Sequence, residues 1–165
     1  MKLDTKIVYL LLGSNLGDRE GLIIDALERI QQEIGELVSK SSRYETAAWG
    51  KEDQPSFLNI AVGVATKLSP LEVLDKALAI ELELGRVRKE KWGARLIDID
   101  VILYGNEIVD EADKLQIPHP RMQERRFVLE PLAEIAGKLI HPVFQRSIAE
   151  ILAELNDNLT VSKIV

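Results

Sequence analysis

An α+β sandwich, with helices packed on an antiparallel sheet in the chain order βαββαβ, is the fold class that this sequence predicts. Three observations carry the prediction. Phe57 to Thr66 alternates with the period of two that a strand requires. One longer segment places apolar residues at three- and four-residue spacing, the period of a helix face, and a second opens on helix-capping signals. The first six elements then fall in the order strand, helix, strand, strand, helix, strand, which is that of a ferredoxin-like split βαβ sandwich.

The first element is the aliphatic run Ile7 to Leu12, which ends at Gly13-Ser14-Asn15 and reads as a buried strand leading into a turn. Helix one starts at Arg19. Its apolar face is Leu22, Ile23, Ala26, Leu27, Ile30 and Ile34, and Gly35 suits its C-terminal cap. Leu37 to Tyr44 alternates loosely, and Thr46 to Pro55, with Gly50 and Pro55, reads as a loop. In Phe57 to Thr66, Leu58, Ile60, Val62 and Val64 share one face, while Phe57, Asn59, Ala61, Gly63 and Ala65 share the other, where small side chains leave room for something to lie.

Helix two opens on Ser69-Pro70-Leu71-Glu72, which offers a Ser cap, Pro at the first helical position and Glu to complete a capping box, and it runs to Gly85. Leu96 to Tyr104 is the next strand, closed by Gly105-Asn106. Helical stretches follow near Phe127 to Ile135 and over Ser147 to Leu155, as a C-terminal helical extension, and the residues after Asn156 are too few and too polar to place. The sheet is expected to carry its helices on one face, and residues 1–165 to form a single domain.

Composition narrows the function. With 165 residues, 46% of them hydrophobic and 29% charged, the chain can build one ordinary core. The absence of cysteine removes disulfides, thiolate metal sites and cysteine nucleophiles together. The apolar run at the amino terminus is too short for a signal core or a membrane span, so cytoplasmic residence is the expectation. A net charge of -6 argues against general nucleic-acid binding. Within that acidic chain, Arg86 to Arg95 holds five basic side chains (Arg86, Arg88, Lys89, Lys91, Arg95) against one acid, Glu90. An anion would be drawn there.

Directly after that run, Asp98 and Asp100 stand two apart on a predicted strand and must face the same way. Ile97, Ile99, Val101 and Leu103 point to the opposite face and into the core. Two carboxylates so placed repel each other unless a cation lies between them. Oxygen ligands suit Mg²⁺, which takes one or two carboxylates and completes its shell with water and substrate phosphates. Guanidinium groups bind phosphate oxygens bidentately. Paired aspartates beside a cationic loop therefore describe a polyphosphate site. Trp92 in the same charged window must find something apolar to cover.

Gly85-Arg86-Val87-Arg88, with Lys91-Trp92-Gly93-Ala94-Arg95-Leu96-Ile97-Asp98-Ile99-Asp100, resembles the signature of the 6-hydroxymethyl-7,8-dihydropterin pyrophosphokinase family. Gly13-Ser14-Asn15-Leu16-Gly17, Asp53-Gln54-Pro55 with Phe57-Leu58-Asn59, and Pro118-His119-Pro120-Arg121-Met122 with Arg125 and Phe127 extend the resemblance in the same order to about Leu155. It implies diphosphate transfer from ATP to the hydroxymethyl group of the reduced pterin, releasing AMP, in folate synthesis. It also implies two Mg²⁺ ions held by Asp98 and Asp100, with Arg86 and Arg95 completing the catalytic set. ATP would be bound by Glu81, Arg88, Trp92, Val101, Lys114, His119 and Arg125. The pterin would be bound by Thr46, Phe57, Asn59, Trp92 and Phe127, the Phe127 ring stacking on the flat heterocycle. Closure of a loop from Gly85 to Gly93 over the phosphates is a further implication. Some positions depart from the family's pattern: Ala94 for Pro, Lys114 for Arg, Leu78 for a polar residue, and Ala47 and Trp49 in the pterin-side loop.

The residues name no general base; Asp100 or a metal-bound water are both conceivable. A ferredoxin-like RNA-binding module is the rival from another class. It would need an aromatic strand motif to stack bases, which the chain lacks. A nucleotide-sensing domain is the second rival and would bind ATP without releasing AMP. ATP, the pterin and Mg²⁺ are thus the expected partners, with no nucleic acid, no membrane and a monomeric chain.

Overall fold

A six-stranded sheet organises the molecule, its strands ordered β5 (Asp98–Tyr104), β1 (Lys6–Ser14), β4 (Phe57–Thr66), β3 (Tyr44–Thr46) and β8 (Val161–Lys163), with β2 (Glu36–Lys40) also pairing with β4. The computed structural model describes residues 4–15, 17–46, 56–86, 97–156 and 160–164. Its elements are β1 (Lys6–Ser14), α1 (Arg19–Glu33), β2 (Glu36–Lys40), β3 (Tyr44–Thr46), β4 (Phe57–Thr66), α2 (Pro70–Arg86) and β5 (Asp98–Tyr104). A β6 (Val109–Glu111) and β7 (Leu115–Ile117) hairpin follows, then α3 (Arg126–Ala136), α4 (Ile148–Glu154) and β8 (Val161–Lys163). β1 pairs antiparallel with both β4 and β5, the arrangement expected of the βαββαβ sandwich.

The helices begin where local chemistry directs. The Asp18 side chain accepts the Gly21 N–H and caps α1. Ser69 and Glu72 exchange side-chain and backbone hydrogen bonds at the start of α2, and Ser147 and Glu150 do the same for α4. Gly85 lies inside α2, which continues to Arg86, so it does not end that helix. Gly35 follows the C-cap Ile34 and gives its N–H to the Ile30 carbonyl at 3.1 Å, as the sequence suggests, and a Cβ there would also stand 2.0 Å from the Ala65 carbonyl oxygen, so close passage against β4 demands glycine.

The core occupies both sides of the sheet, in place of the one helical face expected. On one side Ile23, Ala26 and Ile30 of α1 and Val73, Ala77 and Ile80 of α2 meet Leu58, Ile60, Val62 and Val64 of β4. On the other, Val128, Leu129 and Leu132 of α3 with Ile148 and Ile151 of α4 cover Leu11 and Ala61. The small side chains on that second face are what admit α3. Burial of each large aliphatic contributes roughly 1.5–3 kcal/mol before the entropy of ordering it.

Three departures from strand periodicity matter. The register of β1 against β5 slips between Tyr9 and Leu10, where Leu10 faces Val101 and Tyr9 faces Leu103. Ile102 is therefore an extra residue, its carbonyl accepting the His119 N–H at 2.9 Å. The bulge turns Leu103 to the α3 side, away from Ile97, Ile99 and Val101, which corrects the expectation that all four share a face. The run from Leu37 to Tyr44 is broken at Ser41, whose Oγ takes the Ala61 N–H at 2.9 Å and so stands in for a ladder carbonyl. Finally, the tail after Asn156 returns to the sheet: Lys163, Ser162 and Val161 pair with Tyr44, Glu45 and Thr46.

Candidate active site

Strand register assembles the site. Asp98 lies opposite Gly13, Gly13 opposite Asn59, and Asn59 opposite Tyr44, so one row crosses β5, β1, β4 and β3 on the α3 side of the sheet. Directly opposed residues share a face. Gly13 belongs to β1, not to a turn after it, and its missing side chain leaves a gap between the aspartate and the asparagine: a Cβ there would come within 2.6 Å of Asn59 Oδ1. In the adjacent row Asp100 lies opposite Leu11, which lies opposite Ala61. Both aspartates are half-buried, about 7 Å apart along the strand by its rise.

Their fit to a divalent cation rests on the donor set. Two carboxylates on one face of a rigid strand match Mg²⁺, which needs one or two such ligands with phosphate and water supplying the rest. Among the described residues no cluster of three or more carboxylate, imidazole or thiolate ligands occurs.

Beyond Gly13 the same face turns polar and closed. Asn59 is 4% exposed and Thr46, two residues past Tyr44, is 3% exposed. Asn59 Nδ2 and Thr46 Oγ1 are buried with no hydrogen-bond partner among the described residues. An unpaired buried amide or hydroxyl is costly, roughly 1–3 kcal/mol, so each of these atoms has the capacity to bond a polar occupant. Phe57 is opposite Thr46, and Phe127, in the first turn of α3, packs against the cluster that covers this face. The Arg125 guanidinium sits over the Phe127 ring, 5.6 Å from its centroid.

A second cleft, of about 430 Å³, opens on the outer edge of β5. Leu74, Leu78 and Glu81 of α2, Asp100 and Val101 of β5, Lys114 and Leu115 by the β6–β7 hairpin, and His119 line it. Glu81, Val101, Lys114 and His119, separated widely in sequence, are thus brought together, with Asp100 reaching from the row already described. Leu74 and Leu115 are the apolar walls that sequence reasoning missed, since each reads as an ordinary core position. One oxygen of Glu81 accepts the Ile99 N–H at 2.6 Å. Burial pushes the His119 imidazole below the ordinary histidine value; the nearby Asp100 carboxylate works against that, and Arg125 and Arg121 reinforce it.

Two networks brace β3. Arg19 Nη1 donates to Glu45 Oε2 at 2.8 Å and to the Ser56 carbonyl at 3.0 Å. On the other face Glu134 of α3 accepts from the Tyr44 hydroxyl at 2.6 Å, from Ser42 N–H at 3.1 Å and from Ser42 Oγ at 3.0 Å. Burial raises the Glu134 carboxyl, but the donors Tyr44 and Ser42, with Lys163 nearby, outweigh it and hold the group below its usual value. Arg88, Trp92 and Arg95, and the side chain of Arg86, lie outside the described residues, as do Ala47, Trp49, Ala94 and the expected loop from 87 to 93.

The comparisons with known proteins agree with this fold. The model of the family 7,8-dihydro-6-hydroxymethylpterin-pyrophosphokinase (HPPK) matches residues 9–137. A 2-amino-4-hydroxy-6-hydroxymethyldihydropteridine pyrophosphokinase of Bacillus subtilis is 49% identical over 134 residues, covering 81% of this chain and 80% of that protein. The protein of the same name from Aquifex aeolicus is 42% identical over 147 residues, 89% of this chain and 91% of its own length. The crystal structure of a Plasmodium falciparum HPPK-DHPS triple mutant superposes with a TM-score of 0.74 at 17% identity, over 93% of this chain and 44% of that one, a likeness of fold. With the expected sheet in place and a match spanning most of its length, the chain belongs to the 7,8-dihydro-6-hydroxymethylpterin-pyrophosphokinase family.

Proposed function

We propose that the diphosphate transfer of this family, from ATP to 6-hydroxymethyl-7,8-dihydropterin in folate biosynthesis, takes place across the row Asp98–Gly13–Asn59. The single observation that carries this placement is that row itself: the half-buried Asp98 carboxylate, with Asp100 in the next row, is separated by one glycine from a buried amide that has no partner among the described residues. The pterin edge is hydrogen-bonded by Asn59 and Thr46 and its face is covered by Phe127, with Phe57 and Trp92 beside it. The nucleotide lies in the cleft beyond β5, against Glu81, Val101, Lys114 and His119, with Arg88 and Arg125 on its phosphates. Asp98 and Asp100, between the two, hold the two Mg²⁺ ions.

In the reaction the pterin hydroxyl oxygen forms a bond to the β-phosphorus, the bond from that phosphorus to the α,β-bridging oxygen breaks, AMP leaves with the electron pair, and the hydroxyl proton passes to water. The ions, when bound, neutralise phosphate charge at the point of transfer. The protein's own share is positioning and electrostatics. β5 holds the aspartates at fixed spacing, Arg86 and Arg95 balance the charge that develops on the phosphates, and the buried face around Asn59 keeps water from competing with the hydroxyl. The same reading makes residues 1–165 one domain, acting as a monomer in the cytoplasm without nucleic acid or membrane, in keeping with the charge of -6. No helix among the described residues is long and apolar enough to cross a membrane.

The test is AMP release from ATP and Mg²⁺ with and without 6-hydroxymethyl-7,8-dihydropterin, comparing the unaltered chain with Asp98→Ala and Asn59→Ala. Pterin-dependent AMP that Asp98→Ala abolishes, and that Asn59→Ala restores only at raised pterin concentration, is the expected result. AMP release indifferent to both substitutions would remove the site from this row.

A further inference from the structure

The helix that carries Phe127 and the strand that carries Thr46 are joined by a polar tie as well as by apolar packing. Phe127 and Glu134 are seven residues apart on α3, two turns along one face and about 10 Å along the axis. Tyr44 is 6% exposed, and its hydroxyl donates to Glu134 Oε1 at 2.6 Å. Ser42 adds its backbone N–H at 3.1 Å to each carboxylate oxygen and its hydroxyl at 3.0 Å to Oε2. Tyr44 is in turn opposite Asn59, with Thr46 two residues on, opposite Phe57. One carboxylate therefore connects the aromatic side of the slot to its hydrogen-bonding side.

We propose that the Tyr44–Glu134 hydrogen bond sets the distance between Phe127 and the sheet, and so that Tyr44 and Glu134 are positioning residues for the pterin and not for ATP. This rests on the reading that Asn59, Thr46 and Phe127 hold the pterin. The apolar contacts of Val128, Leu129 and Leu132 press α3 onto the sheet without direction, and such packing tolerates sliding. A carboxylate that accepts from a phenol, a hydroxyl and an amide at once does not. The margin for movement is small: a gap of about 0.5–1 Å forfeits a quarter to a half of a dispersion contact, and a stacked heterocycle depends on many of them. ATP, in the cleft beyond β5, touches neither β3 nor the Glu134 end of α3.

The experiment measures the dissociation constant of 6-hydroxymethylpterin by its intrinsic fluorescence, with a non-hydrolysable ATP analogue present, and separately that of the analogue alone. Full-length Tyr44→Phe, Glu134→Ala, Glu134→Gln and Asn59→Ala are compared with the unaltered chain, with thermal unfolding followed in parallel. The expected result is a roughly three- to tenfold weakening of pterin binding in Tyr44→Phe and Glu134→Ala, with nucleotide binding unchanged. Glu134→Gln, which keeps an oxygen acceptor for Tyr44, recovers part of the loss. In turnover the same variants raise KM for the pterin more than they lower kcat. Unchanged pterin affinity in folded Tyr44→Phe overturns the proposal, and so does a parallel loss of pterin and nucleotide affinity that follows the melting temperature. If Asn59→Ala weakens the pterin and Tyr44→Phe does not, only the tie is wrong; if Asn59→Ala has no effect, the pterin site itself is misplaced and the tie falls with it.

Discussion

The Glu81 carboxylate accepts the Ile99 backbone N–H at 2.6 Å, on the outer edge of β5 and between the two aspartates. Among the described residues β5 is the last strand of its sheet, so this amide meets no neighbouring strand there. Glu81 takes that place and holds the strand from α2, which makes it a support for Asp98 and Asp100 in addition to its proposed place beside the nucleotide. Glu81→Ala is expected to leave the amide unpaired, at a cost of about 1–3 kcal/mol. It is also expected to raise the Mg²⁺ requirement of AMP release, with activity down about 10–100-fold. Glu81→Gln retains an acceptor and should recover the stability. Urea unfolding and a Mg²⁺ titration check both; equal stability loss in the two variants would contradict the hydrogen-bond account.

Gly13→Ala tests the gap in the row. The new Cβ would come 2.6 Å from Asn59 Oδ1, and Asn59 is too enclosed to move aside freely. A displaced Asn59 should weaken the pterin by about tenfold, the value of a misplaced hydrogen bond in a buried site, with nucleotide affinity preserved. Fluorescence titration of each ligand decides it.

Gly35→Ala concerns folding alone. Here the Cβ would meet a backbone oxygen of β4 at 2.0 Å, and neither partner is a flexible side-chain end. Overpacking of this kind costs roughly 1–3 kcal/mol, or more where backbone must move. Thermal unfolding should show the loss, while the folded fraction keeps its substrate affinities.

A pH dependence follows from His141. It is 2% exposed, and its Nδ1 accepts the N–H groups of Val143 at 3.1 Å and Phe144 at 3.2 Å. Burial lowers its pKa, and a proton on Nδ1 would break both hydrogen bonds. Between the lowered folded value and the ordinary value of about 6.5, the unfolded chain binds more protons than the folded one. Its contribution to stability is therefore whole above about pH 6.5 and declines as pH falls below that. His141→Asn keeps an acceptor for the turn without titrating, and urea unfolding from pH 7.5 to 5.5 should show a shallower decline than in the unaltered chain.

Much of the architecture is legible in the residues because its causes are local. The period of two that sets Asp98 and Asp100 on one face, the 3.6-residue period of α1 and the Ser69-Pro70-Leu71-Glu72 cap all act within a few positions, and α2 begins at Pro70 as read. The paired aspartates beside a basic run likewise announce polyphosphate chemistry before any coordinate is known. Local signals fail where a distant partner decides. The period continued through Leu103 is broken by the bulge at Ile102, whose carbonyl is taken by His119. Gly35 caps α1 as read, but the close approach that forbids any side chain there comes from Ala65. The residues after Asn156 form a strand only because β3 offers an open edge.

The sequence by itself therefore determined the βαββαβ order of the main elements, the apolar face of α1, the two faces of β4 and the paired carboxylates, since these follow from backbone geometry and neighbours along the chain, whereas the β6–β7 hairpin and β8 were not read from it. Tertiary structure alone decided that Asp98, Gly13, Asn59 and Tyr44 form one row, that Glu81 braces β5, and that Glu134 clasps Tyr44 from 90 residues away. The physical reason is that register and side-chain pairing across the sheet are set by packing the whole core at once, and no segment carries that information alone.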